Sequence, residues 1–259
     1  MEPSALRHFS HPGGEKVLYC GDDDVDLAAV YLSSILNAEG YDLDYIPSRL
    51  PFPPELDPAA YGLIIFSDYP RAQVRDEDME KIAAQVLRGA SFLMIGGWES
   101  FTGLNIEYRR SPLEALLPVY LQDTDDRRNV AQGIVVLPAE RGKALTDGLD
   151  WEHPALIGGY NAFTPKDEAG VRLNGYRLVI SAERGGIKAE PSATPIPLLV
   201  TGRAGKGKTA ALAFDLAPHW IGGFVDWGTE RKRVEFNDGF IEVGNHYYRF
   251  VKNLIADMF

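Results

Sequence analysis

The sequence predicts an α/β protein, a three-layer sandwich whose mostly parallel sheet is covered by helices and extended by a β-hairpin. Two observations predict it. Between residues 16 and 95, short apolar runs and amphipathic runs alternate in the order β-α-β-β-α-β. The short runs lack a polar face, as strands buried between helical layers do. In the second half the pattern changes to strand-like runs separated by turn signals, closing on one amphipathic helix.

Residues 1–15 carry two histidines, two prolines and Gly13-Gly14 without periodicity, which reads as a loose arm ahead of a single domain over residues 16–259. Lys16–Cys20 is the first strand. Gly21 and the run Asp22-Asp23-Asp24 suit a turn and a helix N-cap, because a short carboxylate there accepts the orphan N–H groups of the first turn. Leu27, Val30, Tyr31, Ser34 and Ile35 then recur at helical spacing, and Gly40 ends that helix. Tyr41–Ile46 is the second strand. A proline-rich connector (Pro47, Pro51, Pro53, Pro54, Pro58) leads to the third, Gly62–Phe66. Asp76 is placed to cap a helix that buries Met79, Ile82, Ala83, Val86 and Leu87, and Gly89 closes it. Ser91–Ile95 is the fourth strand and runs straight into Gly96-Gly97. Gly133–Leu137, Arg177–Ser181, Ile196–Thr201 and Lys208–Phe214 are later strands. Phe250, Val251, Leu254, Ile255 and Met258 line one face of a terminal helix.

A chain of 259 residues buries enough surface to fold without a disulfide or a metal. The formal charge of −11, from 37 acidic against 26 basic residues, repels phosphate backbones and argues against nucleic acid as a partner. No apolar run approaches the ~20 residues that span a bilayer, so no membrane partner is expected. Met1–Lys16 is polar and lacks the apolar centre of a secretion signal. The lone Cys20 cannot form an intrachain disulfide, which suits a reducing, cytoplasmic setting. No pattern calls for a metal or another cofactor, and homo-oligomerisation stays open.

In parallel sheets, sites lie beyond the carboxyl ends of the strands. Polar groups at such ends are Asp22, Asp68, and the turn Gly97, Trp98, Glu99, Ser100. Asp215 and His219 follow a late strand in Ala213-Phe-Asp-Leu-Ala-Pro-His-Trp220, where an acid and an imidazole can pass a proton. Ser100, Glu99, His219 and Asp215 are the candidate catalytic groups. Asp22, Asp68, Gly97, Trp98 and Arg127 are the candidate ligand contacts, with Trp98 a wall against which a sugar or aromatic ring can stack. In Asp125-Asp126-Arg127-Arg128 an arginine can hold an anionic ligand bidentately or close a local ion pair. The Asp22–Asp24 run can bind a hard cation or simply favour a helix start. Gly202-Arg-Ala-Gly-Lys-Gly-Lys-Thr209 matches the phosphate-cradling loop in letters. That loop needs a helix after it; the short segment that follows favours a hairpin turning at Gly205-Lys206-Gly207.

Phe92–Gly103 (FLMIGGWESFTG), Leu117-Pro118-Val119 with Asp125-Asp126-Arg127, Gly159-Tyr160-Asn161, and Gly205-Lys206-Gly207 with Asp215-Leu-Ala-Pro-His-Trp220 resemble the "putative glutamine amidotransferase" family over residues 16–256. Those are largely uncharacterised bacterial proteins with a flavodoxin-like, class I glutamine amidotransferase-like fold. The resemblance implies that fold. It also sets Trp98 where true amidotransferases carry the elbow cysteine, and an indole cannot replace a thiolate nucleophile. The catalytic histidine of those enzymes is followed by Pro and Glu; here Pro218 precedes His219 and Trp220 follows. The expectation is therefore a protein without glutaminase activity that binds a small polar ligand at the strand ends. The alternative is a non-catalytic scaffold or assembly module with a relic cleft. A nucleotide hydrolase using residues 202–209 is a third reading.

Overall fold

The computed structural model describes residues 6–183 and 185–259, with the side chains of Glu183, His219 and Ile221 excepted. The first half builds β1 (Arg7–Phe9), β2 (Lys16–Gly21), α1 (Val30–Ala38), β3 (Asp42–Ile46), β4 (Leu63–Ser67), α2 (Asp76–Arg88) and β5 (Ser91–Ile95). A loop then leads to β6 (Val119–Leu121), β7 (Arg127–Pro138), β8 (Leu156–Asn161), β9 (Phe163–Pro165), β10 (Gly170–Glu183), β11 (Gly186–Pro191), β12 (Ile196–Ala204) and β13 (Gly207–Leu212). A single turn, α3 (Pro218–Ile221), precedes the hairpin β14 (Arg231–Phe236) and β15 (Gly239–Gly244) and the closing helix α4 (Asn245–Met258).

One sheet of eleven strands runs β1-β3-β2-β4-β5-β13-β12-β10-β7-β8, with β11 beside β10. The expected mostly parallel sheet is corrected to a mixed one. Pairs β2–β3, β2–β4, β4–β5 and β5–β13 are parallel. From β13 outward every pairing, β12, β10, β7 and β8 in turn, is antiparallel. The cause is connection length. Parallel neighbours need a crossover, whereas a two-residue turn can only reverse the chain. At Gly205-Lys206 the chain does reverse: Gly205 takes φ +58°, and an added Cβ would come within 2.6 Å of the Leu87 carbonyl. Lys208 and Thr209 therefore sit in a strand, not at a helix N-terminus, which removes the nucleotide-loop reading.

Three local expectations change. The arm is not loose throughout, because Arg7–Phe9 pairs antiparallel with β3 and His8 Nδ1 lies 2.6 Å from Asp44 Oδ1. The Asp22–Asp24 run does not cap α1, whose N-cap is Ala29. Asp22 and Asp23 instead take left-handed φ of 51° and 59°, and Asp24 faces Arg7 and Arg49. Leu27 is consequently exposed, and the buried face of α1 is Leu32, Ser33, Ser34, Ile35 and Leu36. Asp76 is the first residue of α2 and makes no capping bond; Leu87 is exposed and Asp78 is buried between Arg75 and Lys81. The terminal helix is as expected, with Phe250, Val251, Leu254, Ile255 and Met258 buried together with Tyr247 and Tyr248. No described helix is long and apolar enough to cross a membrane.

Candidate functional site

Because β2, β4, β5 and β13 are parallel, their carboxyl ends share one sheet edge. The residues after each strand, Asp22, Asp68, Gly96–Ser100 and Asp215, are delivered to that edge together. The β13 segment leaves beside the β5 turn: Leu212 pairs with Ile95, and Gly96 N–H donates to the Leu212 carbonyl at 2.7 Å.

The β5 turn is clamped from below. Gly97 N–H donates to Asn161 Oδ1 (2.9 Å), and Asn161 Nδ2 returns a bond to the Gly97 carbonyl (3.0 Å) and another to Asp126 Oδ1 (2.8 Å). Asp126 also accepts the N–H groups of Thr102 (2.9 Å) and Gly103 (3.1 Å). Asp126 and Asn161 are fully buried. Burial pushes the Asp126 carboxyl above the usual aspartate range although these donors favour its charge. Both glycines are demanded by space. A Cβ on Gly96 would stand 2.6 Å from the Ala213 carbonyl, and one on Gly97 would stand 2.2 Å from the Asp68 carboxylate.

That clamp fixes what the turn presents. Trp98 points out, 59% exposed, with the Arg127 guanidinium 4.7 Å from the ring centre. Arg127 is in turn held in a fork by Asp125, Nε to Oδ1 and Nη2 to Oδ2, both at 3.0 Å. The local ion pair and the cation over the Trp98 ring thus coincide in one side chain. Asp68, at φ +45°, accepts the Glu99 N–H at 2.6 Å, while its own N–H donates to Ser100 Oγ at 3.0 Å. Ser100 is buried, so its hydroxyl ties the turn to the β4 loop. Burial and the Asp68 charge raise the Glu99 carboxyl.

Beneath this rim lies a second acidic layer. Asp22 is buried and accepts the Tyr19 hydroxyl at 2.6 Å. Burial pushes its carboxyl well up, helped by the charges of Asp215 and Asp68. Asp215 is buried and accepts the Ala217 N–H at 2.8 Å. His219 belongs to α3, four residues after Asp215, but its side chain lies outside the described residues, and so does any contact between it and Ser100. Trp220 docks α3 on β8: its Nε1 donates to Asn129 Oδ1 at 2.9 Å, above Gly159. Cys20 is fully buried in β2, and burial raises its thiol well above the ordinary range.

Sequence reasoning missed Asp126 and Asn161 as site-builders. Asp126 was hidden in a charged run, and Asn161 is a lone polar residue closing a glycine-rich strand. The acid–acid proximity of Asp22, Asp68 and Asp215 follows directly from the strand order.

The family model described as "Putative glutamine amidotransferase" matches residues 21–237. No curated protein matches the sequence. Among solved structures, a cytoplasmic protein from Salmonella typhimurium is 24% identical, with a TM-score of 0.72 over 94% of this chain and 98% of its own. Another cytoplasmic protein, from Salmonella typhimurium LT2, is 25% identical, with a TM-score of 0.71 over 94% of this chain and 99% of its own. A β-galactosidase from Rahnella sp. R3 shares the fold alone: 15% identity and a TM-score of 0.54 over 95% of this chain, but only 31% of the enzyme.

Proposed function

We propose that this chain, which belongs to the "Putative glutamine amidotransferase" family, is a cytoplasmic member without glutaminase activity that binds a small polar ligand on the Trp98 rim. The observation that carries the reading is the occupant of the elbow. The clamp of Asp126 and Asn161 presents residue 98 to solvent, and that residue is an indole braced by Arg127. Glutamine hydrolysis needs a thiolate there. The single thiol of the chain is instead buried and raised in pKa, the opposite of an activated cysteine.

The rim suits a hydroxyl-rich ligand. The open indole face offers stacking area, Asp68 and Glu99 accept hydroxyl protons, and Arg127 adds a cation at the margin. Asp215 and His219 would supply proton transfer if the ligand is also a substrate, with Glu99 as a carboxyl of raised pKa. A second reading, a non-catalytic assembly module, is favoured by the β10–β11 hairpin, which leaves Val179, Ile180 and Ile187 exposed.

Two measurements test the proposal. Purified protein incubated with glutamine should release no ammonia above the blank; turnover that disappears in Cys20→Ser would overturn the absence of glutaminase. Tryptophan fluorescence titrated with a monosaccharide panel should give a saturable change that is lost in Trp98→Ala. No saturable change with any sugar would favour the assembly module.

A further inference from the structure

At the opposite edge of the sheet from Trp98 lies a cavity of about 860 Å³, walled by residues 115–120, the 166–172 turn, the β12–β13 hairpin and the end of α4. In a chain of net charge −11 it collects Lys166, Arg172, Arg203 and Lys208. Among the described residues none of these four makes a salt bridge, whereas Arg7, Arg49, Arg71, Arg75, Arg127 and Lys252 are each held by a carboxylate.

Three of the four share a face of the sheet. Arg203 and Lys208 are direct partners across β12 and β13, so their Cβ atoms stand about 5 Å apart, and like charges so placed repel. Thr201 is two residues from Arg203 and projects to the same side. The β10 register shift between Val171 and Leu173 turns Arg172 towards it, and Arg172 Nε donates to Thr201 Oγ1 at 2.8 Å. Lys208 Nζ reaches the Asp257 carbonyl at the end of α4 (2.8 Å). Arg203 Nη1 donates to the Lys206 carbonyl (3.3 Å) and Lys166 Nζ to the Ala115 carbonyl (3.2 Å), so among the described residues these cations meet neutral oxygens and no carboxylate neutralises them. Asp167, Glu168 and Asp257 line the same cavity and are acceptors for hydroxyl groups.

We propose that this cavity is a binding site for a phosphorylated polyol, with the phosphoryl oxygens on Arg172, Arg203 and Lys208 and the hydroxyls on the neighbouring carboxylates. Several separate cationic donors fit a group with three charged oxygens, and arginine forks match it bidentately. The site differs from a nucleotide loop because Lys208 projects from a strand, and the helix that lines the cavity, α4, does so with its C-terminal end. It is independent of the Trp98 rim, so failure of one reading leaves the other standing.

The test uses glucose 6-phosphate at constant ionic strength, followed by calorimetry and thermal melting. Saturable binding and a raised melting temperature are expected, with no response to glucose alone. Arg172→Gln and Arg203→Gln should each raise the dissociation constant about tenfold, the loss of one charge-assisted bond. Arg203→Gln should melt no lower than the parent without ligand, since it removes the facing like charge. Absence of saturation, an equal response to glucose, or unchanged affinity in both variants would overturn the site. An equal response to succinate would overturn the phosphate assignment.

Discussion

Asp126→Ala tests whether one buried carboxylate organises the elbow. The wild-type group takes bonds from Thr102 N–H, Gly103 N–H and Asn161 Nδ2 at 2.9, 3.1 and 2.8 Å, all out of contact with water. Each hydrogen bond to a charged acceptor is worth about 1.5–3 kcal/mol. Alanine would recover the cost of burying the charge, a cost visible in the raised Asp126 pKa, so the three do not simply add. The three partners of Asp126 are neutral, so what remains is three buried donors without an acceptor at about 1–3 kcal/mol each, less the recovered desolvation, and we expect about 4 kcal/mol. Asp126→Asn is the sharper probe. One amide oxygen can still accept from Gly103 and Asn161, but an NH₂ then faces the Thr102 N–H, donor against donor. That variant should lose about 2 kcal/mol, the cost of an unsatisfied buried group. Urea unfolding at pH 7 measures both. A loss below about 1 kcal/mol for Asp126→Ala would refute the clamp, because three buried donors left unsatisfied at about 1–3 kcal/mol each should exceed that value.

Gly97→Ala forces the Asp68 carboxylate away and takes the acceptor from Glu99 N–H; it should cost about 1–3 kcal/mol, and much less in an Asp68→Ala background. Additive losses in the double mutant would show that the two sites do not touch. Asp22 has a folded pKa above its unfolded one, so its ionisation opposes folding as pH rises. Asp22→Asn should therefore be more stable than the parent at pH 7, with the gain shrinking as pH falls towards ~4, where the free carboxyl also protonates. A variant less stable than the parent at pH 7 would contradict this. Trp98→Cys should place an exposed thiol beside the Arg127 guanidinium, giving fast alkylation by iodoacetamide at pH 7 while buried Cys20 stays unlabelled in the folded protein. Equal labelling of the two would mean that residue 98 is not presented as described.

The parallel half of the sheet was legible because its strands are apolar on both faces and its turns are punctuated by glycine. The late Gly-Lys-Gly segment was readable as a hairpin for want of a following helix. Other features were not legible, for physical reasons. Asp22–Asp24 looks like a cap in any sequence; only the packing of Tyr19 against Asp22 shows that the run leaves the sheet in left-handed conformation. The β1 edge strand is placed by its ladder with β3 and by the His8–Asp44 contact, partners 36 positions apart that no local pattern marks. The β14–β15 hairpin does carry a local signal, Asn237-Asp238 between the two strands, with Asn237 at φ +51°. Asn161 could not have been identified locally, since its partners Gly97 and Asp126 lie 64 and 35 residues away.

The elbow separates two things that a nucleophile turn normally joins. Its backbone geometry depends on Gly96, Gly97, Asn161, Asp126 and Asp68, none of which reacts. The chemistry depends on the side chain at position 98 and a base near it. Here the first set is complete, with glycines wherever a Cβ would clash and a buried clamp beneath. The second set is replaced by an indole and a guanidinium held in a fork by Asp125. The clamp also serves the fold itself, because Thr102 N–H, Gly103 N–H and Asn161 Nδ2 would be buried without an acceptor if Asp126 were absent. The clamp standing intact beneath an exposed tryptophan fixes how residue 98 is presented, whatever side chain stands there. On the function proposed above, recognition falls on that indole and on the Arg127 guanidinium 4.7 Å from its ring centre.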